Sequence, residues 1–245
     1  KQTIMYLRYL LIIISFLLLI QTKLFAQEEI PPSEEVWPEL NAFYSINSKY
    51  RLFAMVSGTK IEKSYYSDGA FGIHLDYFKS YQAKRALGKY DSLKNRLLRV
   101  RVGYLYGTTP PSSEDPFKEH TILTETNSSF PLPYQLLITA KNRFDWRILD
   151  GDFLPRYRPR LTLERDFKTL YLTFNAYVYG EYFWNFGRNN VNRWRLCGGA
   201  EIRVTRNINF EWYYLYQFKN SPDVGKVNAI GLVLKAYFQS AHKKK

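Results

Sequence analysis

The sequence predicts an all-β protein, a closed antiparallel transmembrane β-barrel with twelve strands, or ten as the alternative. Aromatic residues make up 18% of the chain, yet the mean hydropathy of -0.36 is too low for a bundle of membrane helices. Apolar and polar residues alternate in segments of about ten residues, the pattern of membrane strands. The chain also starts with a segment typical of exported proteins.

The N-terminal segment predicts export. An apolar run from Leu10 to Ile20 follows Arg8, and Ala26 offers a small residue for cleavage. Because the run is shorter than the ~20 residues that span a bilayer, a cleaved signal peptide over residues 1–26 is favoured over an uncleaved anchor. Residues 27–36 are expected to form a flexible periplasmic lead-in, 37–239 the barrel and 240–245 a basic tail. Cys197 is the single cysteine, so the exported chain has no internal disulfide.

The alternation defines the strands. In residues 170–184 the even positions include Leu172 and Phe174, whereas Thr173 and Asn175 take odd positions. Successive strand side chains point to opposite faces, so one face is apolar and the other polar. Similar segments are 39–46, 50–61, 71–78, 98–106, 117–125, 134–148, 156–164, 193–204, 208–218 and 228–238. Bacterial barrels have even strand numbers, so these eleven segments predict twelve strands, with the missing one in residues 80–127.

The connections and irregularities are also predicted. Short periplasmic turns are expected at residues 47–49, 166–168 and 206–207, and longer outer loops at 187–192 and 219–226. Residues 80–96 are expected to be either a helical insert or a loose loop. Pro159 cannot donate to a sheet ladder, so an irregularity is expected near it. A soluble β-sandwich is the alternative fold, but the charged faces are too polar to pack as its core.

The polar faces predict an ionic lumen. Its predicted charge network comprises Arg99, Arg101, Arg143, Asp145, Arg147, Arg156, Arg158, Arg160, Glu164, Glu181, Arg193, Arg195, Glu201, Arg203 and Glu211. Lys141, Lys235, Glu39 and Asp76 are expected to join it. Because unpaired charges in a narrow interior are costly, most of these groups should form ion pairs that fill the barrel. The alternative is an anion-selective pore, since Arg and Lys rings line anion channels.

Catalysis is the weaker alternative. His74 and Asp76 share one face of a predicted strand, with Ser57 or Thr59 on a neighbouring strand as a hypothetical nucleophile. Such a pair would sit about 7 Å apart, too loose for a well-formed acid–histidine contact. No metal-ligand spacing or phosphate loop is present, so no metal, cofactor or catalytic residue is predicted. The arginines alternate with apolar residues, which argues against nucleic acid as a partner.

Spaced arginines and aromatics carry a family resemblance. Arg143 with Asp145-Trp146-Arg147, the run Arg156-Tyr157-Arg158-Pro159-Arg160, and Leu163-Glu164-Arg165 resemble an uncharacterised family of bacterial outer-membrane barrels, domain of unknown function 2490. The segments 179–186 and 212–218 are similar to that family's closing hairpins. The resemblance spans about residues 37–238 and implies a barrel fold and an outer-membrane location. It implies no activity, substrate or catalytic residue.

The sequence therefore predicts a Gram-negative outer-membrane barrel, exported through a cleaved signal peptide. Its predicted role is non-enzymatic, as a structural or partner-binding barrel with a charged and largely filled lumen. Expected partners are outer-membrane lipid and a protein of an envelope complex. A narrow anion-selective pore or transporter is the alternative, and a hydrolase using His74 is a weaker one.

Overall fold

The computed structural model describes residues 32–61, 66–82, 85, 87, 92–110, 116–170, 172–188, 190–219 and 226–239. The predicted signal peptide (1–26) and basic tail (240–245) lie outside the described residues. In the described part, twelve strands follow one another: β1 Ser33–Ser45, β2 Tyr50–Ile61, β3 Tyr66–Gln82, β4 Arg96–Thr108, β5 Lys118–Pro131, β6 Leu136–Leu149, β7 Asp152–Phe153, β8 Arg156–Lys168, β9 Thr173–Asn185, β10 Asn190–Arg203, β11 Ile208–Lys219 and β12 Val227–Gln239. No helix among the described residues is long and apolar enough to cross a membrane.

The strands form one closed barrel, as predicted. Each wall strand pairs with its neighbours in antiparallel register, except that β1 and β12 close the barrel as a parallel pair. Strand β7 pairs with β6 alone and lies outside the wall, so eleven of the twelve described strands form the barrel. Strand directions must alternate around a fully antiparallel barrel, which requires an even number. The parallel pair removes that requirement.

The wall strands coincide with the eleven alternating segments of the sequence. The twelfth strand is β7, in the connection after β6, rather than a missed strand in residues 80–127. The wall begins at Ser33, four residues before the predicted start at Trp37. The predicted turn at residues 166–168 lies within β8, and the chain reverses at 169–172 instead.

Side chains alternate between the two faces of the wall. Outward-facing Ile122 and Leu161 are 57% and 58% exposed, whereas inward-facing Thr121 and Leu123 are each 1% exposed. The aliphatic and aromatic side chains on the outer face suit contact with hydrocarbon, and barrel closure satisfies the backbone groups without water. The predicted irregularity at Pro159 is a local gap in the β8–β9 pairing, with the same register on both sides.

The two ends of the barrel differ in their connections. The turn end carries the short connections after β1, β5, β8 and β10, the longer β3–β4 connection and the end of β12. The loop end carries the connections after β2, β4, β6, β9 and β11, together with the start of β1. Strand β1 therefore begins at the end opposite to that at which β12 finishes.

Candidate functional site

The predicted lumen residues lie in several groups of polar contacts inside the barrel. Those in ion pairs or ring contacts are Arg99, Arg101, Arg143, Asp145, Arg147, Arg156, Arg158, Arg160, Glu164, Glu181, Arg193, Arg195, Glu201 and Glu211. Arg203 lies at the end of β10, where its Nε donates a hydrogen bond to the Thr205 carbonyl oxygen at 2.9 Å. Alternation places these side chains on the inner face, and strand pairing decides which of them meet.

Asp145 on β6 is fully enclosed by arginines. Its carboxylate accepts hydrogen bonds from Arg143 Nε at 2.5 Å and from an Arg156 terminal nitrogen at 2.8 Å. A terminal nitrogen of Arg158 lies 3.6 Å away, and the Asp145 side chain is 0% exposed. One carboxylate thus serves three guanidinium groups from β6 and β8.

Glu181 on β9 is the second shared carboxylate. Terminal nitrogens of Arg158 and Arg160 approach it to 3.3 and 3.0 Å. Lys141 Nζ lies at 3.6 Å and a terminal nitrogen of Arg195 at 3.9 Å. Strands β6, β8 and β10 therefore direct cations at one carboxylate on β9.

Phe183 lies two residues further along β9 and is 1% exposed. The guanidinium carbons of Arg156, Arg158, Arg193 and Arg195 lie 5.3, 4.4, 5.2 and 4.7 Å from its ring centroid. Such positions permit attraction between a cation and the ring face, and the apolar ring also keeps the arginines close together.

We call the positively charged side chains around Asp145, Glu181 and Phe183 the cation cluster. It consists of Lys141, Arg143, Arg156, Arg158, Arg160, Arg193 and Arg195. The cluster occupies the half of the barrel nearest the loop end, since Arg156 starts β8 and Arg193 lies close to the start of β10.

A second ionic group lies on β2, β3 and β4. Asp76 is 0% exposed and receives hydrogen bonds from Arg51 Nε at 3.2 Å and from Arg101 Nε at 2.6 Å. His74 is buried, and its ring stacks on Phe53 with centroids 4.9 Å apart. Neither ring nitrogen of His74 has a hydrogen-bond partner among the residues that the structure describes. Asp76 therefore binds arginines and does not orient His74.

The hypothetical nucleophiles lie away from His74. Ser57 pairs with Ala70 on β3, four positions from His74, and Thr59 pairs with Asp68. Four strand positions correspond to roughly 13 Å. The structure therefore does not assemble a nucleophile, base and acid from these residues.

The β3–β4 connection folds into the turn end of the barrel. Arg85 donates to Glu164 at 2.8 Å and to Asp166 at 3.1 Å on β8, and the Leu87 backbone amide also donates to Asp166. Lys94 forms an ion pair with Glu201 on β10. Because β8 and β10 are not neighbours of β3 or β4 in the wall order, these contacts place Arg85, Leu87 and Lys94 inside the lumen.

We call the described residues of this connection, namely 85, 87 and 92–95, the crossing segment. Leu87 and Leu93 are 2% and 3% exposed. Burial by itself lowers the pKa of Lys94, but the Glu201 carboxylate outweighs that effect, so the pKa of the amine is raised. The pKa of Arg85 is likewise raised, because Glu164 and Asp166 outweigh its burial. Both anchors therefore keep their charge through neutral pH.

An internal cavity of about 660 Å³ lies between these groups. It is lined at one end by crossing-segment residues, including Arg85 and Lys94, and elsewhere by Lys141, Arg160 and Arg195 of the cation cluster. No cluster of metal-ligating side chains occurs among the residues that the structure describes.

Several participants were missed by the sequence reasoning, namely Arg51, Arg85, Lys94, Glu119, Glu125 and Asp166. Glu119 and Glu125 follow the period of two in β5 and receive Arg147 and Arg99, so the pattern could have identified them. Arg51 shares the inner face of β2 with Phe53 and Met55, so its charge lies within an otherwise apolar stretch. Arg85 and Lys94 follow no period, because their positions depend on the crossing of the lumen.

The wall and the ionic interior together define a transmembrane β-barrel. A family model described as "Protein of unknown function (DUF2490)" matches residues 34–228, and the chain belongs to this family. The resemblance predicted from the sequence is thereby confirmed. No curated protein matches the chain. Among solved structures, the chain is similar to the β domain of the Bordetella autotransporter Brka, with 13% identity, a TM-score of 0.41, and coverage of 76% of this chain and 81% of that one.

Proposed function

We propose that the protein is a non-enzymatic barrel of the bacterial outer membrane, with a sealed lumen and a structural or partner-binding role in the envelope. The fold and the apolar outer face support the membrane location. By the usual orientation of such barrels, the turn end faces the periplasm and the loop end faces outward.

The crossing segment carries the proposal of a sealed lumen. At the turn end, Arg85 is held by Glu164 on β8 and Lys94 is held by Glu201 on β10. An open diffusion pore needs a continuous wet path, and a segment bound to the far wall opposes one. The anion-pore alternative would therefore require this segment to move.

The separation of His74 from the predicted nucleophiles and acid, all within the described residues, supports a non-enzymatic role. Asp76 is bound by Arg51 and Arg101, and it leaves His74 without an acid partner. A histidine base is normally oriented by such a partner. Replacing His74 by Ala should therefore change no lipid or peptide hydrolysis.

Planar-bilayer recording tests the sealed lumen. The wild-type barrel should give no stable open level, whereas the double variant R85A/K94A, which lacks both anchors, should give conductance steps. Lys49→Ala is the matched control, because Lys49 is exposed in a turn at the same end. A stable open level in the wild type would favour the pore. Failure of R85A/K94A to conduct while folded would show that the anchors do not seal the lumen.

A further inference from the structure

We propose that the cation cluster binds a phosphate-bearing anion in the lumen. This inference names a ligand class for the sealed barrel and so rests on the proposed binding role. Three observations carry it: the local charge balance, the unused hydrogen-bond donors, and the size and lining of the cavity.

The cation cluster has more positive charge than its carboxylates can neutralise. Seven cationic side chains surround two carboxylates, Asp145 and Glu181, and a third carboxylate, Glu35, attracts Arg193 without pairing with it. Lys141 also lies 4.0 Å from Glu125, but Glu125 pairs with Arg99, so including that pair leaves the surplus unchanged. Charges removed from bulk water are costly unless they are matched by opposite charges. The surplus therefore favours a bound anion.

The cluster also contains unused donors. The Nε atoms of Arg158, Arg160 and Arg193 are buried and have no hydrogen-bond partner in the described part of the chain. A buried donor without an acceptor costs about 1–3 kcal/mol. Arg193 makes a ring contact with Phe183 and has no ion pair within 4.0 Å among the described residues. Acceptor oxygens from a ligand would match these groups, which the strands leave without acceptors.

The chemistry of the donors indicates the ligand class. Planar guanidinium groups bind the oxygens of phosphate in pairs, and several of them around one site suit a multiply charged oxyanion. The cavity of about 660 Å³ reaches Arg158, Arg160 and Arg195, and it has the size of ordinary small-molecule sites. The crossing segment lies at the turn end, so the ligand would enter from the loop end. Either a free phosphate or the phosphate of a lipid head group would supply the same chemistry.

Calorimetric titration of the folded barrel in a maltoside detergent, with inorganic phosphate as the probe, tests the site. Saturable binding is expected, and Arg193→Gln, which removes a positive charge next to the cavity-lining Arg158 and Arg195, should weaken it about tenfold or more. Arg165→Gln is the matched control, because Arg165 is exposed near the turn end and should leave binding unchanged. Lys141→Gln provides a second variant, since Glu181 keeps its arginines when Lys141 is lost.

A thermal measurement separates ligand binding from a structural role. In phosphate-free buffer, R193Q should be at least as stable as the wild type, because it removes one surplus cation. Added phosphate should raise the melting temperature of the wild type more than that of R193Q, since a ligand stabilises the state that binds it. A purely structural role predicts the reverse: R193Q would be less stable and phosphate would have no differential effect.

The source of the phosphate is resolved by two further probes. Binding of inorganic phosphate or glucose 6-phosphate identifies a free anion. Stabilisation by phosphatidylglycerol added to the micelle, without a response to inorganic phosphate, identifies a lipid head group. If none of the three probes binds, or if R193Q and K141Q bind phosphate as the wild type does, the inference is overturned. A barrel that does not conduct and does not bind phosphate would contradict the proposed phosphate site but not the proposed sealed lumen.

Discussion

Asp145→Asn tests whether the ionic interior holds the barrel together. The Asp145 side chain is 0% exposed and lies 2.5 Å from Arg143, 2.8 Å from Arg156 and 3.6 Å from Arg158. An amide of the same shape would leave three buried guanidinium groups without their shared carboxylate. Removing one partner of a buried ion pair typically costs about 3–5 kcal/mol, and we expect a loss of that size in the free energy of unfolding.

Urea unfolding of the barrel refolded into phosphatidylcholine vesicles, followed by tryptophan fluorescence, measures this loss. The midpoint should fall while the slope stays constant. Asp152→Asn is the matched control, because Asp152 is exposed in β7 outside the wall, and its effect should stay within about 0.5 kcal/mol. Removing Arg156 together with Asp145 should restore part of the loss, since the two are coupled. A loss below about 1 kcal/mol for D145N would contradict the ion-pair reasoning, because a truly buried pair costs more to break.

Three further outcomes are expected. A Cβ at Gly231 would overlap the ring of Tyr213, so Gly231→Ala should prevent refolding to the heat-modifiable form seen in gels. Adding Y213A to this variant should restore refolding, and failure of the rescue would place the clash elsewhere. Leu161 is 58% exposed at the middle of β8, so Leu161→Arg should lower the unfolding free energy in vesicles by about 2–4 kcal/mol. The same change at the turn residue Leu170 should have little effect. Equal losses for the two variants would argue against a lipid-facing wall. Cys197 is buried on the inner face, so a bulky maleimide should label it only after unfolding, and rapid labelling of the folded barrel would show an open lumen.

Local patterns predicted most of the barrel. The eleven alternating segments became the eleven wall strands because alternation is a property of the extended backbone and needs no partner strand. The predicted even number of wall strands was wrong because it assumed an antiparallel closure. The parallel β1–β12 pair allows an odd number of strands in the wall, and no residue of either strand predicts that pairing. Strand β7 has two residues, Asp152 and Phe153, which is too few to show a period.

The sequence predicted most of the residues that form the candidate site, but not which of them contact one another. Alternation placed Arg158 and Glu181 on the inner face, and they meet because β8 and β9 pair in one register. The contacts of Phe183 with four arginines were not predicted, because an aromatic residue in the sequence gives no information about which side chains surround it in space. Arg85 and Lys94 follow no period, and their roles come from a connection that crosses the lumen.

The sequence by itself determined which side chains face the lumen and which face the membrane, because successive Cβ atoms on a strand point in opposite directions whatever the strand pairs with. Only the tertiary structure decided which charges share a carboxylate, how the wall closes and what crosses the lumen. Those features depend on strand order and register summed around the whole barrel, so residues far apart in the chain determine them together.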